Sequence, residues 1–206
     1  MERIAGIILA AGESARMGQD KALLTLSSAE GWGATTFLEH LLRQVKDSNV
    51  GLVRVVLGAN ADAVQKKIPF GAAEVVVNPN WQQGQLSSLI AALDSLPRGM
   101  TEAALVCLVD HPAISSALIR TLIDNFQQSG KLIIIPTFGG RRGHPVIFSA
   151  KLFDELRRAP RDVGARAVVR NHPGDILEVP TEEEGVVLNI NDPEAYEKIR
   201  KMHPPA

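Results

Sequence analysis

The chain has 206 residues, 45 % apolar and 22 % charged, with a formal net charge of -1. That balance offers no global attraction for nucleic acid or an acidic membrane, and an aromatic content of 4 % disfavours base-stacking platforms. The single cysteine, Cys107, leaves no internal disulfide and points to a reducing cytoplasm, while the apolar run near the start is too short to span a bilayer.

Short β-branched apolar runs alternate with helical patterns along the chain. IAGIILA (4–10) reads as a buried strand. In TTFLEHLLRQVKDS (35–48), Phe37, Leu38, Leu41, Leu42 and Val45 fall on one helical face, with Thr36 and Glu39 at capping-box spacing. LVRVVLG (52–58) is the next strand, followed by a polar helical piece over 61–67 and a strand in AEVVVN (73–78). LSSLIAALDSL (86–96) is an amphipathic helix, and AALVCLVD (103–110) is continuously apolar, as expected of a parallel strand covered on both faces. A helix from about Ser115 leads to the strand KLIIIP (131–136), then to a glycine-rich turn and short strand in GGRRGHPVIF (139–148). Helical stretches follow over 152–157 and 164–170. DILEV (175–179) and VVLNI (186–190) read as two further strands, and a closing helix starts at Asp192 as cap with Pro193 in its first turn. The alternation predicts an α/β protein with a doubly wound, mostly parallel sheet in three α/β/α layers. No linker, repeat or low-complexity tract interrupts it, so residues 1–206 are expected to form one domain.

In an open parallel sheet, ligands bind at the carboxyl ends of the strands. Polar or glycine-bearing segments follow several of them: AAGESARMGQDK after the first, NPNWQQGQLSS after EVVV, Asp110 in DHP after LVCLV, and NDP after VVLNI. The first carries Gly12, Arg16, Gly18 and Lys21, which suit a cradle in which backbone N–H groups and two cations meet a phosphate. It also fits an ordinary strand-to-helix turn with solvated cations. Neither GxxxxGK[ST] nor GxGxxG is present. Asp110, ending a fully apolar strand, is placed either to hold Mg2+ at the sheet edge or to cap the next turn. Cys107, inside that strand, reads as inert core.

LAAGESARMGQDKALL (9–24) meets every fixed position of LAAGxSxRMGxxKxLL and resembles the nucleotidyltransferases that join an NTP to a phosphorylated acceptor. NPNWQQGQLSSL, LVDHPAIS, GRRGHPVIF, DVGARAV and NINDPEAY, in that order, are similar to the molybdenum cofactor cytidylyltransferase branch of the MobA-like NTP transferase family. The resemblance runs from residue 4 to about 196 and implies a Rossmann-like nucleotidyltransferase fold. It implies that Leu9, Ala10, Ala11 and Gly12 lie against base and sugar, with Asn78, Gly84, Ser87 and Ser88 as further nucleotide contacts. Arg16 and Lys21 would hold the triphosphate and act with Asp110 in catalysis. Asp110 and Asn191 would hold Mg2+; the family reads DIDTPED where this chain has NINDPEA, so an amide stands in for a carboxylate. Asp192, one residue along, is the alternative second ligand, or the helix cap.

Arg142, Gly143, His144, Asp162, Gly164 and Arg166 would line the acceptor. His144 could equally be a structural histidine, and Ser87 could simply cap its helix. His111, where glutamine is common, is expected to be a local contact, and Trp81 a partly buried surface aromatic. Ala11-Gly12 resembles the pyrimidine-using members, so CTP is the expected donor. The expected acceptor is a phosphorylated pterin, and the recipient of the product a molybdoenzyme or its maturation factor; no nucleic acid or membrane partner is expected. Two other readings stay open: transfer to another small phosphorylated metabolite (sugar, alditol or phospholactate), and a catalytically weak cofactor-delivery protein.

Overall fold

The computed structural model of the chain describes residues 4–14, 18–26 and 35–202, without the side chains of residues 198 and 200–202. The central strand, β1 (Ile4–Ala10), is buried at every residue. A two-stranded ribbon, β2 (Thr25–Leu26) and β3 (Thr35–Thr36), leads into α1 (Phe37–Lys46), which opens with the expected capping box between Thr36 and Glu39. There follow β4 (Leu52–Leu57), α2 (Ala61–Lys67), β5 (Glu74–Val77), α3 (Gln85–Ser95), β6 (Ala103–Leu108) and α4 (Ser116–Ser129). The rest of the chain forms β7 (Ile133–Phe138), β8 (Arg141–Arg142), β9 (Val146–Ser149), α5 (Phe153–Arg158), α6 (Ala165–Asn171), β10 (Ile176–Pro180) and α7 (Pro193–Met202).

The sheet order is β10-β7-β9-β6-β1-β4-β5, with β8 paired to β7. All pairings among β6, β1, β4 and β5 are parallel, as is β10 with β7; β9 runs antiparallel to both of its neighbours. Side chains alternate across a strand, so β1 feeds two cores. Ile4 and Ile8 pack with Leu38, Leu41, Val45, Ile119 and Leu122 of α1 and α4. Ala5, Ile7 and Leu9 pack with Leu86, Leu89, Leu93, Leu156 and Val168 of α3, α5 and α6. Burial on both faces is why these strands are uninterrupted apolar runs. The mostly parallel three-layer arrangement is the one expected.

One expected strand is absent. VVLNI forms no ladder: a 3-10 turn covers Glu184–Val187, and the Val186 carbonyl accepts instead from the His144 N–H at 2.8 Å. Val186 is fully buried, wedged between loops, so its apolar character serves packing rather than pairing. A third cluster of Leu24, Leu26, Phe37, Ile190 and Ile199 docks α7 on the β2 segment, where the Tyr196 hydroxyl donates to the Thr25 carbonyl at 2.8 Å. That cluster brings α7 against the segment that follows β1, beside the carboxyl ends of β1 and β6.

Candidate functional site

Leu9, Ala10 and Ala11 are buried where β1 ends, and the Leu9 and Ala11 carbonyls accept from the N–H groups of Val109 and Ala59. Gly12 follows at the exposed rim, with no atom of the described residues within 4 Å of where a Cβ would stand. Gly18 takes a positive φ of 64°, which glycine adopts without strain. Asp20 then organises the turn: one carboxylate oxygen accepts from the Ala22 N–H at 2.9 Å and the other from the Asn60 amide at 3.0 Å. The Lys21 N–H donates to Ser14 Oγ at 3.0 Å. With its backbone held this way, Lys21 reaches across the sheet edge, and its ammonium donates to Asn191 Oδ1 at 2.5 Å and lies 3.7 Å from Asp110 Oδ2. Three of the residues singled out from sequence, drawn from three distant segments, thus converge. Arg16 lies outside the described residues.

Asp110 is 23 % exposed at the end of β6, and its carbonyl accepts from the Ile190 N–H at 2.8 Å, which docks the 184–192 segment against it. Asp192 caps α7, accepting from the Ala195 N–H at 2.9 Å, so Asn191 rather than Asp192 stands at Lys21. The Asp110 carboxylate and the Asn191 amide oxygen are hard oxygen donors on either side of one cation. They fit Mg2+ that takes its other ligands from phosphate and water; among the described residues no cluster of three His, Cys, Asp or Glu offers an all-protein cage.

Behind Asp110, the His111 and His144 rings lie 5.2 Å apart, and the Nδ1 atoms of both are buried without a hydrogen-bond partner among the described residues. Burial pushes both imidazoles below their ordinary range, His144 to about 3, so each is neutral near pH 7. For His111, Asp110 and the Val186 and Gly185 carbonyls oppose the fall; for His144, neighbouring His111 and Arg166 deepen it and the Val106 backbone opposes it. His111 packs against the His144 ring and the Gly185 and Val186 backbone. Gly143 is pressed against the 184–192 segment: a Cβ there would lie 2.3 Å from the Val186 carbonyl oxygen.

The other expected contacts are arranged around this centre with different freedom. The Asn78 amide donates to Ser87 Oγ at 2.9 Å and Ser88 Oγ at 3.0 Å, while its oxygen accepts from the Asn80 N–H. This knot ties the loop after β5 to the first turn of α3. Gly84, at φ 92°, rather than Ser87, precedes α3, and Ser87 Oγ donates to the Gly84 carbonyl. Trp81 is half-buried and packs on Gly58, in agreement with the expectation. Arg161 bonds to Gln83, linking this loop to the segment with exposed Asp162, exposed Arg166 and Gly164, at φ 71° before α6. Arg142 is tied to Glu178 at 2.6 Å on the β8–β10 margin, not to the Asp110 centre. Sequence reasoning missed Asp20, Asn60, Glu183 and Gly185 as organisers, because each acts through a contact between segments remote in the chain.

The family model for the MobA-like NTP transferase domain matches residues 6–176. The chain is 30 % identical over 193 residues to nicotine blue oxidoreductase of Paenarthrobacter nicotinovorans, covering 88 % of this chain and 90 % of that one. It is 28 % identical over 206 residues to a probable molybdenum cofactor guanylyltransferase of Opitutus terrae, covering 97 % and 96 %. It is 26 % identical over 196 residues to molybdenum cofactor cytidylyltransferase of Escherichia coli, covering 95 % of each. Among solved structures, Rv0371c of Mycobacterium tuberculosis superposes with a TM-score of 0.81 at 27 % identity, covering 97 % of this chain and 98 % of that one.

Proposed function

The chain belongs to the MobA-like NTP transferase family and is a nucleotidyltransferase, and on that premise we propose that it is a Mg2+-dependent cytidylyltransferase moving CMP from CTP to the phosphate of molybdopterin or its molybdenum-bearing form. The observation that carries this reading is the convergence of Lys21, Asp110 and Asn191 at the carboxyl ends of β1 and β6. The triphosphate lies over the turn after β1, its charge met by Lys21 and Arg16. An acceptor phosphate oxygen attacks the α-phosphorus in line: the new P–O bond forms as the bond to the β-phosphate breaks, and pyrophosphate leaves with its electron pair. The acceptor phosphate is already an anion near neutrality, so no general base is needed. Lys21 stabilises the charge that builds on the leaving group, as a preorganised cation should. Asp110 and Asn191 would hold Mg2+, which when bound would supply further neutralisation of phosphate charge. Gly143, His144, Gly164 and Arg166 form the acceptor side, with Arg142 at its outer margin, and Asp162 at the loop that leads into it. The Ala11-Gly12 pair favours cytosine as the base.

The test is calorimetry with Mg2+ and each of CTP, GTP, UTP and ATP, followed by pyrophosphate release on adding molybdopterin. Selective CTP binding with Mg2+-dependent release supports the proposal. Preference for GTP moves the chain to the chemistry named for its Opitutus relative; release only with another phosphorylated acceptor replaces the pterin.

A further inference from the structure

The segment from Thr181 to Asp192 is a strap that leaves β10, crosses the loops after β6 and β8, and delivers Asn191 to Lys21 before α7 begins. Apart from the Asn191 side chain, its polar contacts with the centre are made by backbone. The Val186 carbonyl accepts from the His144 N–H at 2.8 Å, the Ile190 N–H donates to the Asp110 carbonyl at 2.8 Å, and the Gly185 and Val186 carbonyls face the His111 ring. Backbone contacts of this kind keep a loop in place only if its ends are held, because an irregular segment otherwise opens at little cost.

The C-terminal end is held by α7 and the Asp192 cap. The other end is held at Glu183. One of its carboxylate oxygens accepts from Ser115 Oγ at 2.5 Å and the other from the Ser115 N–H at 3.0 Å, a two-point, charge-assisted grip at the start of α4. Ser115 in turn caps α4 through the Leu118 N–H, and Gln44 of α1 takes the Ser116 N–H at 2.7 Å, so the anchorage is built into two core helices. On the strap itself, the Val186 N–H bonds back to the Glu183 carbonyl at 3.3 Å, which transmits the position of Glu183 into the turn that meets His144.

We propose that Glu183 is a positioning residue for the nucleotidyl-transfer centre: its grip on Ser115 sets the strap that holds Asn191 on Lys21. Glu183 is bound to Ser115 rather than to Lys21 or Asp110, and it acts through residues 185–191. This inference rests on the transfer reading for its kinetic consequence, but not for its structural one.

The experiment compares wild type, Glu183→Ala and Glu183→Gln by backbone amide exchange and by pyrophosphate release at varied CTP. In Glu183→Ala, exchange at the Ile190 and His144 amides should quicken about tenfold while that of the β1 and β6 amides stays unchanged. kcat should drop about tenfold with KM for CTP within about twofold, since misplacement of a transition-state contact spares ground-state binding. Glu183→Gln keeps an acceptor for Ser115 and should recover most of both losses. Unchanged exchange at Ile190 and His144 in folded Glu183→Ala overturns the proposal, as does equal quickening across the whole sheet. A wild-type protein that releases no pyrophosphate with any NTP and acceptor overturns the transfer reading, and the exchange rates still decide whether Glu183 positions the strap.

Discussion

Gly185→Ala should unseat the strap at its tightest point. A Cβ at residue 185 would lie 1.6 Å from the Ala113 carbonyl oxygen, 2.6 Å from its carbonyl carbon and 2.9 Å from its Cβ, whereas ordinary contact begins at 3.4 Å. The obstructing atoms are backbone and a short side chain, so no rotamer change relieves them, and the strap must lift. Lifting puts at risk the bond from Ile190 to the Asp110 carbonyl and the bond from His144 to the Val186 carbonyl. Overpacking costs about 1–3 kcal/mol and a buried group left unpaired about 1–3 kcal/mol, so with one such group a total of about 2–6 kcal/mol is expected. For a chain of this size that lowers the melting temperature by roughly 4–24 °C. Gly174→Ala is the control, because nothing lies within 4 Å of the added Cβ; its stability should stay within about 0.5–1 kcal/mol of wild type. Scanning calorimetry measures both. A Gly185→Ala protein that melts within about 1 °C of wild type would refute the strap geometry on which the positioning of Asn191 depends.

Lys21→Met removes the cation shared by Asn191 and Asp110 and should slow pyrophosphate release by about 10²–10³-fold with the fold intact; a loss under tenfold would remove Lys21 from the transition state. The His144 imidazole is pushed down to about 3 by burial, against about 6.5 in the unfolded chain. The unfolded state therefore binds the extra proton between those values, so this contribution is intact above pH 6.5 and lost as pH falls toward 3. His144→Gln should flatten the fall in urea-measured stability between pH 6 and 4; an identical slope would show that another group drives it. Burial pushes the Cys107 thiol up to about 12, so the native protein should resist a maleimide reagent at pH 8 and react only in denaturant. Rapid native labelling would contradict the buried strand.

Much of the candidate centre was legible because its residues follow strand ends. Asp110 terminates an apolar run, and Lys21 stands in a glycine-bearing turn after another, and a parallel sheet puts both carboxyl ends on one edge. The helices were legible from periodicity, and Thr36 and Glu39 from a spacing that is local by nature. VVLNI misled because its pattern is shared by buried strands and by apolar loops wedged between other loops. Burial without ladder partners leaves the same trace in sequence.

Local physics, then, was determined by the sequence alone: which runs are apolar on both faces, where helices start, which turns need glycine, and that one cysteine sits in a core strand. Only the tertiary structure decided that Asn191 rather than Asp192 meets Lys21, that Arg142 turns to Glu178, and that Glu183 and Gly185 govern the strap. The reason is physical. A hydrogen bond between residues 170 positions apart, such as Lys21 to Asn191, has no period and no local propensity. It exists because a central sheet and a docked C-terminal helix bring the turn after β1 against the segment before α7, with Lys21 Nζ 2.5 Å from Asn191 Oδ1.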